Sequence, residues 1–153
     1  MSEVQIRAML NEDYDEVFAM WQITSKRALS QADRKEEIER YLHRNKGLSQ
    51  VAVTDGKIIG TVLAGHDGRR GYIHHMAVLP QYRRKGIAKK LATTALEKLA
   101  GEGILKTHIF TYCDNSAGQG FWSSMGFQKR EDIFVYSYEY DNEKLSEVDG
   151  NDI

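Results

Sequence analysis

The chain has 153 residues, 41% of them hydrophobic and 28% charged, with a formal net charge of −1 and one cysteine. That length suggests one domain able to bury most of its apolar surface without staples, and near-neutral charge does not favour nucleic acid or an anionic membrane as an obligatory partner. No apolar run reaches the roughly 18 residues of a membrane helix, and "MSEVQIRAML" lacks a signal-peptide core. Cys113 has no internal partner, so the compartment expected is the cytosol.

In chain order, "VQIRAM" alternates and predicts a first strand. "NEDYDEVFAMWQ" predicts a helix capped by Asn11 or Asp13, with Val17, Met20 and Trp21 on one face. "ITSKRALSQ" has no period and reads as loop or frayed helix. "DRKEEIERYLHRN" predicts a second helix with Ile38, Tyr41 and Leu42 as its apolar stripe. Asp55-Gly56, between two β-rich runs, suits a type I′ hairpin turn. "HDGRRG" turns the chain into the strand "YIHHMAVL". A helix follows over roughly Arg84 to Ala100, with Ile87, Leu91, Ala95 and Leu99 on one face. "ILKTHIFTY" predicts another strand. A short helix then runs from Asn115 to Met125, ended by Gly126. "IFVYSYEY" alternates and predicts a final strand. The acidic tail 141–153 is expected to be disordered, leaving residues 1–140 as a single domain. The order β-α-α-β-β-β-α-β-α-β predicts an α/β fold whose mixed, mostly antiparallel central sheet is flanked by helices.

The stretch "LPQYRRKGIAKKL" sets Arg83, Arg84, Lys85 and Lys89 around Gly86, where a strand has ended and a helix begins. The first helical turn has N–H groups without intrahelical partners and the positive end of the dipole, a natural phosphate site. Gly86 has no side chain to block approach to the backbone. Basic residues at a helix N-terminus oppose the dipole by a few tenths of a kcal/mol each. They fit there with an anion partner, or as ordinary surface charge. Neither G-x-x-x-x-G-K-[ST] nor G-x-G-x-x-G is present.

Two motifs in this order carry a resemblance. Arg83-x-x-Gly86-x-Ala88, preceded by the apolar triplet Met76-Ala77-Val78, is similar to the Q/R-x-x-G-x-G/A signature of the GNAT superfamily of acetyl-CoA-dependent N-acetyltransferases. Asn115 through "GQGFWSSMGF" to Phe127 resembles the same family's N-x-x-A-x-x-F-Y-x-x-x-G-F. The resemblance spans about Tyr72 to Phe127. It implies a GNAT-type fold in which the strand ending at Val78 and the one near Tyr112 splay to admit acetyl-CoA. Met76, Ala77 and Val78 would pair with the pantetheine arm as an added strand does. Arg83 and the amides of Arg84, Lys85, Gly86, Ile87, Ala88 and Lys89 would hold the pyrophosphate. Asn115, Phe121 and Trp122 would line the far wall. No metal is implied.

The departures are informative. Arg84 and Ala88 stand where glycines are common, which is tolerable if both are already helical without positive φ. Gly118 replaces the usual alanine, a helix weakening of at most about 1 kcal/mol. Trp122 replaces a tyrosine that would protonate the leaving thiolate, and indole is no acid near neutral pH. A CoA thiolate resembles a cysteine thiolate of pKa about 8.5 and leaves tolerably well, with Tyr112 or water as an alternative acid.

An alkylammonium acceptor has no lone pair, and with a pKa near about 10.4 only one molecule in a few thousand is neutral at pH 7. A base is therefore useful. Strict alternation along "YIHHMAV" puts Tyr72, His74 and Met76 on one face and His75 on the other. Arylalkylamine and polyamine acetyltransferases, which the chain resembles here, carry a histidine or glutamate at the place of His74. The resemblance therefore implies His74 as base, with Tyr72 orienting a water; a structural His74 is the competing reading. His75 is expected to pack against a helix, and Cys113 has no organised histidine that would make it a nucleophile. Trp21, Tyr41, Tyr136 and Tyr138 are the aromatics expected around the acceptor, either as a cation-binding wall or as core. The leading function is acetyl transfer to a primary amine of a small molecule. Its alternatives are a protein N-terminal or lysine acetyltransferase and a CoA-binding module without catalysis. The partners expected are acetyl-CoA and an amine acceptor, with a homodimer left open and neither nucleic acid nor membrane.

Overall fold

The structure, a computed structural model, describes residues 3–140; the tail expected to be disordered lies outside them. The strands are β1 (Gln5–Ala8), β2 (Gln50–Thr54), β3 (Lys57–His66), β4 (Gly71–Val78) and β5 (Thr107–Ile109). The helices are α1 (Tyr14–Thr24), α2 (Lys35–Arg44), α3 (Ile87–Gly101) and α4 (Ser116–Ser124). The sheet runs β1-β2-β3-β4-β5. The first three pairings are antiparallel and β4–β5 is parallel, as the sequence order implies.

The Asp55-Gly56 turn sets the register of the central hairpin. Both residues have positive φ, +51° and +73°, the geometry a two-residue type I′ turn demands. β2 and β3 are buried along nearly their whole length because helices cover both sheet faces. α3 packs Ile87 and Leu91 over Gly60. On the opposite face the α1 residue Trp21 donates its indole N–H to Thr61 Oγ1 at 2.9 Å. Val17, Met20 and Trp21 of α1 and Ile38 and Leu42 of α2 are buried as their spacing predicts. Asp13 does not cap α1. Its carboxylate accepts from Arg7 at 2.8 and 2.9 Å and from the Leu10 N–H at 2.8 Å. The aperiodic stretch between α1 and α2 forms two 3₁₀ turns, Lys26–Ala28 and Gln31–Asp33.

Two irregularities in β4 shape the molecule. Between Thr61↔Ala77 and Leu63↔His74, β3 advances two residues and β4 three. The extra residue is a β-bulge in β4, and His75 sits there at φ +48°. On the other edge, β5 pairs with β4 only from Gly71↔Thr107 to Ile73↔Ile109. Beyond Ile73, β4 continues to Val78 without β5, so the two strands part as expected.

The predicted final strand is corrected. Residues 133–140 form no strand, and Phe134, Tyr136, Tyr138 and Tyr140 are 87–95% exposed. The alternation is real, but a strand needs an edge to pair with. β5 offers three residues, far too few for a segment of that length.

Candidate functional site

On one side of the parting strands lies the basic loop. After Leu79 a 3₁₀ turn, Pro80–Tyr82, leads to Arg83, whose Nε donates to the Val78 carbonyl at 2.9 Å. That bond ties the loop to the strand end. Arg84 (φ +63°) and Gly86 (φ +79°) are both left-handed. The expectation that Arg84 is already helical is therefore wrong. Two left-handed residues turn the chain, and α3 starts only at Ile87, with Gly86 as its N-cap. Arginine at positive φ carries strain of roughly 1–2 kcal/mol, which explains why the family prefers glycine there. The first intrahelical bond is Lys90 N–H to Gly86 O at 3.1 Å, so the amides of Ile87, Ala88 and Lys89 precede the helical ladder. A Cβ on Gly86 would meet nothing within 4 Å. Approach to this backbone is open, and Arg83, Arg84, Lys85 and Lys89 stand exposed around it.

The bulge breaks the alternation on which the sequence reading of β4 rests. Register partners share a face, so Tyr72, His74 and Ala77 lie with Gly65, Leu63 and Thr61. Met76 loses the face it would have shared with His74. His75 does not point away: its ring stacks on Trp21 (centroids 4.2 Å, interplanar 20°) and its Nε2 lies 2.9 Å from Asp33 Oδ1. Both side chains of that pair are 7% exposed. The Thr61 hydroxyl donates to the His75 carbonyl at 3.0 Å, anchoring the bulged residue from β3.

A cavity of about 590 Å³ opens here, lined among others by Asp33, Glu37, Tyr41, Leu63, His74 and His75. Burial, helped by neighbouring His75 and opposed by Asp33, pushes the His74 imidazole below its ordinary value. It is therefore neutral at pH 7 and free to accept a proton. Tyr41 meets His74 edge-on at 6.3 Å, and burial pushes its phenol well above the usual range. The Tyr41 hydroxyl lies over Gly65, where a Cβ would come within 2.6 Å of it; β3 must be bare there for Tyr41 to fit. Tyr72 is the remaining expected catalytic residue. It packs with His108 and Phe110, at 5.7 and 6.3 Å between ring centroids, and is not among the cavity's lining residues.

The segment around α4 is held by local contacts. Asn115 caps α4, its Oδ1 accepting the Gly118 N–H at 2.9 Å. A Cβ on residue 118 would fall 2.5 Å from Asn115 Nδ2, so an alanine there would require the Asn115 amide to shift. Trp122 is buried between Phe121 and Phe127, at 4.8 and 5.0 Å. The Phe127 N–H donates to Trp122 O and the Gly126 N–H to Ser123 O, both at 3.0 Å. With Gly126 at φ +96° this is a Schellman end closed by the Trp122–Phe127 contact. Tyr112 carries the Arg27 guanidinium 3.7 Å over its ring, and Arg27 also pairs with Asp114 at 2.9 Å. That contact straps the segment after α1 to the loop before α4.

Sequence reasoning missed Asp33 and put His75 on the wrong face of β4, although its ring packs against a helix as expected, on Trp21 of α1. A local signal existed: Ser30 and Asp33 are spaced as a capping box, and the Ser30 N–H does donate to Asp33 Oδ2 at 3.0 Å. Of the acceptor aromatics, Tyr41 lines the cavity, Trp21 is fully buried behind His75, and Tyr136 and Tyr138 are exposed.

Comparison with known proteins agrees with this geometry. The Acetyltransferase (GNAT) family matches residues 6–127. An acetyltransferase of Yersinia pestis (strain Pestoides F) is 30% identical over 132 residues, 86% of this chain and 93% of the relative. Among solved structures, the aminoglycoside N-acetyltransferase AAC(6')-Iy in complex with CoA superposes with TM-score 0.73 at 20% identity, over 90% of this chain and 96% of that one. The PaiA N-acetyltransferase of Thermoplasma acidophilum in complex with coenzyme A also gives 0.73, at 21% identity over 86% and 93%.

Proposed function

The chain belongs to the acetyltransferase (GNAT) family, and from that premise we propose that it moves an acetyl group from acetyl-CoA directly to the primary amine of a small molecule. Acetyl-CoA supplies the activated acetyl group. The residues on the donor side fit it. β4 has a free edge past Ile73, and Met76, Ala77 and Val78 occupy it. The amides of Ile87–Lys89 face open space beside Gly86, and Arg84, Lys85 and Lys89 add charge for a pyrophosphate. Phe121 and Asn115 belong to the wall across the gap, with Trp122 as its packed support.

The observation that carries the reading is the half-buried His74, held below its ordinary value, in a cavity on the same strand. His74 takes the acceptor's proton at a ring nitrogen, which frees the amine lone pair for attack on the acetyl carbonyl. Tyr72 orients a water near the strand's edge. A cavity of about 590 Å³ is the size of a small-molecule site, which supports a small acceptor over a polypeptide. The exposed, unpaired Cys113 fits a reducing compartment such as the cytosol, and no described helix is long and apolar enough to cross a membrane.

The test is acetyl-CoA turnover, followed as free thiol, over a panel of small primary amines and of peptides with free N-termini or lysines. Thiol release with a small amine, and the acetylated amine by mass, is the expected result. Acetylation confined to peptides would overturn the small-molecule reading. CoA binding without thiol release on any acceptor would leave a binding module.

A further inference from the structure

The cavity beside His74 has a charged rim, and one of its charges finds no partner in the described chain. Both carboxylates are taken. Asp33 Oδ1 faces His75 Nε2 at 2.9 Å, and its Oδ2 accepts the Ser30 N–H at 3.0 Å. Glu37 is ion-paired with Arg40. Arg44 also lines the cavity and is exposed. It makes no hydrogen bond or ion pair with the described residues. A guanidinium brings five N–H donors in a fixed fork and a permanent charge, a match for carboxylate or phosphate.

The local roles open to such an arginine are not used here. A helical arginine gains from an acid three or four positions earlier; in α2 those positions hold Tyr41 and Arg40. An arginine in a last turn can also bond the terminal carbonyls. The Tyr41 carbonyl instead accepts from the Asn45 N–H and Nδ2, at 2.9 and 3.3 Å. By helical period Glu37, Arg40, Tyr41 and Arg44 share one stripe of α2, and all four line the cavity. Arg40 and Arg44 are thus like charges one turn apart, a repulsive arrangement that a bound anion relieves.

The helix also sets a spacing. Tyr41 meets His74 edge-on at 6.3 Å between ring centroids and marks the level of the proposed base. Arg44 lies three residues on, about 4.5 Å along the axis, and helical side chains lean back toward the N-terminus. Guanidinium and imidazole therefore serve one cavity. Ala32, Ile38 and Leu63 give it apolar lining, a surface for a short carbon chain. We propose that the acceptor is a short-chain primary amine carrying an oxyanion, carboxylate or phosphate, which Arg44 binds while the amine stands at His74. This rests on the cavity being the acceptor site. Arg44 binds and selects; the proton still goes to the histidine.

The test uses probes of matched length: β-alanine against propylamine, and phosphoethanolamine against ethanolamine, with diaminopropane as the opposite charge. kcat/KM from thiol release should favour each oxyanion member by about tenfold or more, the size of a charge-assisted bidentate bond. The difference should lie in KM. Arg44→Gln should bring both ratios towards one, and Arg44→Glu should reverse them in favour of the diamine. Arg44 is exposed, so both variants should fold, which melting curves check. Binding is read separately, by saturation-transfer NMR on the CoA-loaded protein, so an enzyme that releases no thiol still decides the question. Selective binding of the oxyanion members without turnover, lost in Arg44→Gln, would keep the anion site and defeat the transfer reading. Equal KM and equal binding within each pair would overturn the proposal. So would a preference that survives Arg44→Gln, or no binding of the oxyanion members at millimolar concentration. A wild-type preference for the diamine would overturn it too, and would give the selectivity of the rim to Glu37.

Discussion

The two sides of β4 are made by opposite means. The proposed donor side is a local construction: one loop, Leu79 to Lys89, whose left-handed Arg84 and Gly86 lead into the three amides, of Ile87, Ala88 and Lys89, that precede the helical ladder. Nearly everything it needs lies within eleven consecutive positions. The proposed acceptor side is assembled from distant parts. Asp33 and His75 are 42 positions apart, Trp21 and Thr61 are 40 apart, and Tyr41 lies over Gly65. The donor side depends on backbone and empty space, the acceptor side on buried side-chain pairs. Substitutions should therefore damage binding on the first side far more than stability. On the second side they should damage either rate or stability, depending on the residue.

The largest effect is expected at Gly86. Aspartate is among the residues that tolerate left-handed backbone best and its Cβ would meet nothing within 4 Å, so Gly86→Asp should fold, with a melting temperature lowered only by the roughly 1 kcal/mol its positive φ costs. Its carboxylate would stand among the amides proposed to receive the pyrophosphate. Repulsion at that range is worth a few kcal/mol, so calorimetry should show acetyl-CoA affinity lower by about a hundredfold or more. Affinity within a few fold of wild type, in a folded variant, would remove the donor site from this loop and the comparison with it.

Next come the two histidines, which separate rate from stability. His74→Ala should keep acetyl-CoA affinity and lower kcat/KM at pH 7 by ~10²-fold, the common size of a general-base effect. Because His74 is held below its ordinary value, its neutral form dominates at pH 7. The rising limb of kcat/KM should therefore lie below pH ~6.5 and vanish in the variant. The deficit should shrink at high pH, where more acceptor arrives neutral. His75→Ala should behave otherwise. It strips a partner from buried Asp33 and a stacked ring from Trp21, costing about 3 kcal/mol of stability and lowering the melting temperature. If paired profiles show that His75→Ala removes the limb while His74→Ala preserves it, the roles are reversed.

This division also explains what could be read in the sequence. Gly86, the basic cluster and the Asn115–Gly126 helix are legible because their geometry is fixed by neighbours in the chain. The type I′ turn at Asp55-Gly56 is legible for the same reason. The bulge is not, because alternation looks perfect through "YIHHMAV"; only the count against β3 shows that one residue is extra. His75 at positive φ is then held by Asp33 and by Thr61, neither visible from β4. Arg84 misleads in the same way: its left-handed backbone follows from the path of the loop into α3, not from its own preference. Residues 133–140 carry a strand pattern, yet β5, the outer strand of the sheet, is only three residues long.

The smallest expected effect is at Trp122, where the two sides meet a third structure, the closed end of α4. The family's tyrosine at this position would act on the leaving thiolate, so a tryptophan there raises the question of whether anything catalytic was lost. The structure gives Trp122 a different task. It is buried, its carbonyl accepts the Phe127 N–H, and its ring fills the space between Phe121 and Phe127. Phenylalanine keeps the carbonyl and most of the ring contact, and leaves a small void. Trp122→Phe should therefore cost stability, by roughly 1–2 kcal/mol, while kcat stays within about tenfold of wild type, since removing a general acid would cost ~10²-fold or more. Thermal melts and single-substrate kinetics on one preparation decide it. A variant that melts like wild type yet loses several hundredfold in kcat would place the indole at the reacting atoms, and would move this wall from support to chemistry.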